Sequence, residues 1–172
     1  MKKILIILFA IFFVSSLQAQ NGKTIEDSHY KFSITFANKW TSRNTVETNK
    51  KDVITYSFDK DNGKLTLSLI AFKFTEARNL DDFIYTLEKD FNLNIPEKIS
   101  GYTDIKGEGF SGKYADYKDA ESHERIYYYA TSKDSSGEYF CYMLRFIADI
   151  KSNLGEAEKE ASSIADSFKI KL

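Results

Sequence analysis

Hydrophobic side chains recur along this chain with two periods. Tyr30, Phe32, Ile34 and Phe36 alternate with Lys31, Ser33 and Thr35, the period-two pattern of a half-buried strand. A turn at Ala37-Asn38-Lys39 leads to Trp40, the only tryptophan. Residues 53–58 predict a second strand with Ile54, Tyr56 and Phe58 on one face. Asp61-Asn62-Gly63 then marks a hairpin, because Asn-Gly readily takes the positive φ values of a tight turn. Residues 65–74 return as a longer strand. Leu65, Leu67 and Leu69 fall on one face and Ile70, Phe72 and Phe74 on the other, as in a strand covered on both sides.

The period then lengthens. Leu80, Phe83, Leu87 and Phe91 form a helical stripe over residues 79–92, with Asn79 as the cap and Asp81 and Asp82 complementing the dipole of the first turn. Short strand-like pieces follow between residues 99 and 114, and a charged loop over 116–122. Residues 124–131 and 138–146 predict a second hairpin joined through Asp134-Ser135-Ser136-Gly137. Asn153 with Glu156 three positions on resembles a capping box. It opens a helix whose Leu154, Ala157, Ala161, Ile164, Ala165 and Phe168 share a face. Strands, helix, strands, helix, with hairpin links, predict an antiparallel α+β fold with a helix over each face of the sheet.

One further apolar run lies at the start. Residues 1–19 read as an export signal: Lys2 and Lys3, an 11-residue apolar stretch over 4–14, and a small-residue cleavage site ending at Ala19. That stretch is too short for the roughly 20 residues of a membrane-spanning helix, so no stable membrane anchor is expected. Leu17-Gln18-Ala19-Gln20 has the shape of a lipoprotein box with Gln in place of Cys, which leaves no thiol to acylate at this site. The expected product is one domain over residues 20–172, periplasmic or secreted.

Composition narrows the partners. Residues 20–172 carry 22 basic and 25 acidic side chains, net −3, which gives no electrostatic footprint for nucleic acid. Cys141 is the only cysteine, so no internal disulfide forms, and its place in Tyr139-Phe140-Cys141-Tyr142 marks it as a small buried hydrophobe.

The candidate chemistry is sparse. Gly107-Glu108-Gly109-Phe110-Ser111-Gly112 fits G-x-G-x-x-G literally, yet no helix follows it, so glycines at bulges or close backbone contacts are expected. Asp59-Lys60-Asp61-Asn62-Gly63 has its glycine one position early for a calcium loop, and Ile70 stands where the bidentate Glu belongs. Asp116, Asp119 and Glu121 read as solvated loop charge, with a calcium ion as the alternative. His29, His123 and Cys141 lack zinc-ligand spacing, and Ser111 lacks a nucleophile elbow because Lys113 fills its last position. No catalytic, cofactor or metal residue is assigned. The remaining signal is aromatic. Tyr127-Tyr128-Tyr129, Tyr139, Phe140 and Tyr142 crowd one hairpin, where alternate members face opposite sides. They build core, or else Trp40, Tyr127, Tyr129, Tyr139 and Tyr142 form a binding surface.

The chain resembles the PsbP-like family, which includes the extrinsic photosystem II subunit and many small exported bacterial proteins. The likeness rests on Tyr30-Lys31-Phe32-Ser33-Ile34-Thr35-Phe36 leading through Asn38-Lys39 to Trp40, on Leu65-Thr66-Leu67-Ser68-Leu69, and on Asn79-Leu80-Asp81-Asp82-Phe83. Gly112, the strand over 139–146 and the ending Ser167-Phe168-Lys169-Ile170 complete it. The resemblance implies an αβα sandwich around a central antiparallel sheet and a non-catalytic binding or assembly role, and it transfers no site residue. The expected activity is thus that of an exported accessory domain, without cofactor, that contacts a protein partner or small ligand in the envelope. The alternatives are a carrier of a hydrophobic ligand, which needs a cavity between sheet and helix, and an envelope hydrolase using an unmotifed carboxylate pair.

Overall fold

The computed structural model describes residues 22–37, 39–91 and 93–172. The expected export segment, residues 1–19, lies outside them, as do Gln20 and, within the turn before Trp40, Asn38.

Thirteen elements occur in order: β1 (Lys23–Asp27), β2 (Phe32–Phe36), β3 (Thr41–Glu47), β4 (Val53–Lys60), β5 (Leu65–Phe74), α1 (Leu80–Tyr85), β6 (Glu97–Lys98), β7 (Thr103–Gly107), β8 (Phe110–Lys118), β9 (Ser122–Thr131), β10 (Tyr139–Asp149), α2 (Leu154–Ser167) and β11 (Lys169–Ile170). The dominant feature is an eight-stranded sheet in the order β3-β4-β5-β10-β9-β8-β6, with β7 also paired to β8. A small sheet has the order β1-β2-β11. Every pairing is antiparallel, so the expected α+β class holds with the sheet dominant.

Strict alternation splits the large sheet between two apolar clusters. Leu67, Leu69, Tyr127, Tyr129, Tyr142 and Leu144 pack with α2 and the small sheet. Phe72, Ile126, Tyr128, Cys141 and Met143 pack with α1 on the other face. The two-sided apolar pattern of residues 65–74 therefore reports a real double covering.

Two expectations need adjustment, and two local features go beyond what the sequence predicted. The helix expected over 79–92 starts where its cap places it, with the Asn79 side chain accepting from the Asp81 and Asp82 amides. It stays α-helical only to Tyr85, then widens into a π-turn over Thr86–Asp90, where the Phe91 amide donates to Thr86 O at 3.0 Å. Phe91 follows the wide turn with extended backbone and stands 49% exposed, its ring edge-on to Phe72 at 6.3 Å. The charged loop shortens to residues 119–121, because β8 runs to Lys118 and holds Asp116 against Arg125 at 2.6 Å. Asp61-Asn62-Gly63 forms a 3-10 turn in which all three φ values are positive, 52°, 58° and 87°. Finally, β3 reads Thr-Ser-Arg-Asn-Thr-Val-Glu and is exposed throughout. As an edge strand it needs no apolar period, and a bulge between Ser42 and Asn44 interrupts its pairing with β4.

Candidate functional site

The aromatic residues of the β9–β10 hairpin face inward. Tyr142 is fully buried, and its hydroxyl donates to Tyr30 O at 2.8 Å, tying the large sheet to the small one. Trp40 is 8% exposed, with Nε1 donating to Glu160 Oε1 of α2 at 2.7 Å. Tyr139 is half-buried and, by alternation with Cys141, belongs to the opposite face. The five residues considered as one binding surface are therefore divided, and Trp40 and Tyr142 are core fasteners. Burial outweighs exposure for these rings because each removes a large apolar area from water while its one polar group finds a partner.

Tyr127 and Tyr129 have a second role. They line an open cleft of about 1050 Å³ between α2 with the segment after it and the outer flank of the large sheet. Their β8 neighbours set the floor. Tyr114 pairs in register with Tyr127, the rings 5.2 Å apart, and Gly112 pairs with Tyr129. A Cβ at Gly112 would lie 2.8 Å from Tyr129 Cδ1 and 2.9 Å from Tyr128 O, so glycine is what lets the Tyr129 ring lie against β8. Phe110 meets Tyr129 edge-on at 5.7 Å, and Phe168 lies 5.3 Å from Tyr129 on the helix side. Ser162 and Asp166 of α2, with Lys169 after it and Glu108 at the β7–β8 turn, add the polar groups.

Two features make this cleft more than a seam. Tyr129 is 5% exposed, yet its hydroxyl makes no hydrogen bond to protein among the described residues and is not sealed from the cleft. Burial raises its pKa, with Tyr127 and Asp166 adding to the effect, so the hydroxyl is neutral and free to donate or accept. Burial also raises the Tyr127 pKa, against the opposing pull of Ser162 and Arg125. Arg125 itself stands 5.3 Å from the Tyr114 ring and is fixed by both oxygens of Asp116, at 2.6 and 3.0 Å.

The G-x-G-x-x-G string belongs to this floor. Gly109 occupies the β7–β8 turn at φ 76°, a left-handed conformation that glycine adopts without a Cβ penalty. Phe110, Gly112 and Tyr114 all point to the cleft side. No helix opens there and no phosphate cradle forms.

A second, smaller groove of about 310 Å³ lies on the other face between α1 and β4–β5. Val53, Phe72, Phe74, Phe83, Leu87 and Phe91 line it, and the Arg78 guanidinium stands 4.9 Å over Phe74. Nearby Cys141 is buried, and burial pushes its thiol up to about 12, so it is no thiolate at neutral pH. Among the described residues no three His, Cys, Asp or Glu side chains gather as a metal site. Asp119 instead accepts from the Glu121 and Ser122 amides at 2.8 and 2.7 Å. No helix of the described residues is long and apolar enough to cross a membrane.

Sequence reasoning found Tyr127 and Tyr129 but missed Phe110, Tyr114, Ile105 and Phe168. The available signal was Phe110-x-Gly112-x-Tyr114: a glycine between two same-face aromatics marks a place where a neighbouring strand's ring lies flat.

Comparison with known proteins places the architecture. No family model matches the chain, and no curated protein matches it. Cyanobacterial PsbP (CyanoP) from Synechocystis sp. PCC 6803 superposes with a TM-score of 0.58 at 14% identity, covering 90% of this chain and 95% of that one. LpqN, involved in cell envelope biogenesis of Mycobacterium tuberculosis, gives 0.53 at 14% identity, over 90% of this chain and 88% of its own. A protein from Bacteroides thetaiotaomicron gives 0.52 at 14% identity, and there 88% of this chain spans only 49% of the other. At such identity the likeness is one of fold, and the fold is PsbP-like.

Proposed function

We propose that this chain is an exported, non-catalytic binding or accessory domain that works through the cleft between α2 and β7–β9. The carrying observation is Tyr129: its ring is buried, while its hydroxyl has no protein partner among the described residues and opens to a cleft of about 1050 Å³. A ligand reaching that hydroxyl exchanges its water for a direct hydrogen bond, worth about 0.5–1.5 kcal/mol. The layering is taken as an αβα sandwich, with α2 and the small sheet over one face and α1 with its wide turn over the other. Residues 1–19 support export, and LpqN's involvement in cell envelope biogenesis agrees with an envelope setting. The occupant is a small ligand or a side chain of a protein partner, and the net charge of −3 over residues 20–172 argues against nucleic acid.

A second reading, carriage of a hydrophobic ligand, is favoured by the groove of about 310 Å³ beside α1, whose lining is almost wholly apolar.

One experiment tests both. Isotope-labelled protein of residues 20–172 is mixed with the small-molecule fraction and, separately, the protein fraction of envelope extract from the source cells. Shifts confined to Tyr114, Tyr127 and Tyr129 and absent in Tyr114→Ala support the cleft. Shifts confined to Phe72, Phe74 and Phe91 transfer the function to the apolar groove. No shift in either place overturns the proposal.

A further inference from the structure

The chemistry of the cleft narrows its ligand, if the cleft is the working surface as proposed above. Its charges are of mixed sign, Glu108 and Asp166 against Lys169, so neither an anion nor a cation is strongly selected. Its polar groups are hydroxyls, two carboxylates and the Lys169 ammonium, and the hydroxyl of Tyr129, without a protein partner among the described residues, is a neutral phenol that both donates and accepts. Beside these groups lie half-exposed apolar surfaces, Phe110, Tyr114 and Ile105. A ligand fitting this mixture is neutral, rich in hydroxyls, and has C–H faces that lie on rings. That is the description of a sugar.

The geometry adds length and shape. Phe110 and Tyr114 sit four residues apart on the same face of one strand, about 13 Å at the usual strand rise. The distance exceeds a single sugar ring, and the Tyr129 ring fills the space over Gly112 between them. Gly107 makes room for the Phe110 ring, which lies 2.1 Å from where a Cβ would stand. We infer that the three glycines and the paired aromatics of β7–β9 form a binding site for a straight, uncharged oligosaccharide of the β-1,4-linked kind. Such a chain would lie along β8, with Tyr129 and Asp166 hydrogen-bonding its hydroxyls and Tyr114 stacking on a ring face. The glycine string that looks like a nucleotide motif thus seats the rings on which a sugar chain would lie.

The test is a titration of residues 20–172 with chitotetraose, cellotetraose, maltotetraose and spermidine, read by calorimetry and by backbone amide shifts. The expected result is saturable binding of chitotetraose or cellotetraose, with shifts along β8 and the end of α2. Tyr129→Phe, which removes one hydroxyl, should weaken it roughly three- to tenfold, the worth of one hydrogen bond. Tyr114→Ala should weaken it at least tenfold, whereas Tyr85→Ala, exposed on α1, should change nothing. Binding of cellotetraose without chitotetraose would still support the site, with the acetamido groups excluded. Equal binding of the curved maltotetraose, or affinity for spermidine alone, overturns the inference. So does the absence of tetrasaccharide binding at millimolar concentration. If envelope extract still shifts the same residues in that case, the cleft remains a binding site and only the sugar assignment fails.

Discussion

Removing the Glu88 carboxylate tests the account of why α1 ends in a wide turn. Glu88 Oε1 accepts hydrogen bonds from three tyrosine hydroxyls: Tyr102 at 2.8 Å, Tyr128 at 3.1 Å, and Tyr117. Tyr117 and Tyr128 are almost wholly buried and their hydroxyls are 3.3 Å apart. In Glu88→Ala, half-buried Tyr102 can turn to water, and one of the buried pair can donate to the other. One buried hydroxyl is then stranded, at about 1–3 kcal/mol. Losing the side-chain stem adds about 1 kcal/mol. The expected destabilisation is about 2–4 kcal/mol, or roughly 5–15 °C in Tm for a domain of this size.

Glu88→Gln keeps an oxygen in place with two lone pairs for three donors, and should cost about 1 kcal/mol. Urea unfolding followed by far-UV circular dichroism measures both, with an unchanged m-value as the check that only stability moved. A further variant separates stranding from simple loss of contact. Adding Tyr117→Phe and Tyr128→Phe to Glu88→Ala removes the stranded groups, so stability should rise by at least 1 kcal/mol over Glu88→Ala alone. If Glu88→Ala unfolds within about 0.5 kcal/mol of wild type, or the phenylalanines make it worse, the carboxylate does not hold the turn to the sheet.

Two other perturbations rest on the same kind of reasoning. Glu124 and Arg145 form a buried two-point ion pair at 2.6 and 2.8 Å, and Arg145 also donates to Leu93 O at 2.7 Å, fastening the segment after the wide turn. Glu124→Ala leaves that charge unpaired and should cost about 3–5 kcal/mol, more than the double change Glu124→Leu/Arg145→Met; urea midpoints decide, and a cheaper single variant refutes it. The Asp119 carboxyl is held below its ordinary 3.8 by the Glu121 and Ser122 amides, so its stabilisation is in place above that value and is lost as pH falls through the lower folded one. On acid titration the Glu121 and Ser122 amide resonances should therefore inflect below pH 3.8, and an inflection above it would contradict the turn geometry.

Much of the fold was legible because local chemistry and burial agreed. Asn79 and Asn153 cap their helices as their positions imply, and the β9–β10 hairpin turns where Asp134-Ser135-Ser136-Gly137 places it. Period two identified two faces on β5 and β10 because both faces are covered. The strands that escaped notice, β1, β3, β6 and β11, are edges of their sheets, where pairing comes from backbone groups and the side chains carry no apolar rhythm. Glu88 escaped for another reason. It lies in the wide turn that follows α1, but the three phenols that satisfy it come from residues 102, 117 and 128, and no local pattern joins those.

The cleft is a different case, since it arises from widths rather than from any motif. Seven strand positions across the large sheet, at about 4.8 Å each, spread over roughly 30 Å. Helix α2 supplies a cover about 10 Å wide, and the three strands of the small sheet about 15 Å. The cover is short by about one strand, and the hydrogen bonds decide where the shortage falls. Tyr142 ties the small sheet to β10, Tyr56 ties it to β4 through Asp27 at 2.7 Å, and the Thr35 amide donates to Ser167 at the end of α2. With the cover pinned toward β4 and β10, β7 and β8 are left open. An open flank on a sheet whose central strands are buried on both faces exposes apolar side chains, unless small residues flatten it or a ligand covers it. This chain has the first device in Gly107 and Gly112. The Tyr129 hydroxyl, open to the cleft and without a protein partner among the described residues, is the group that such a ligand would meet.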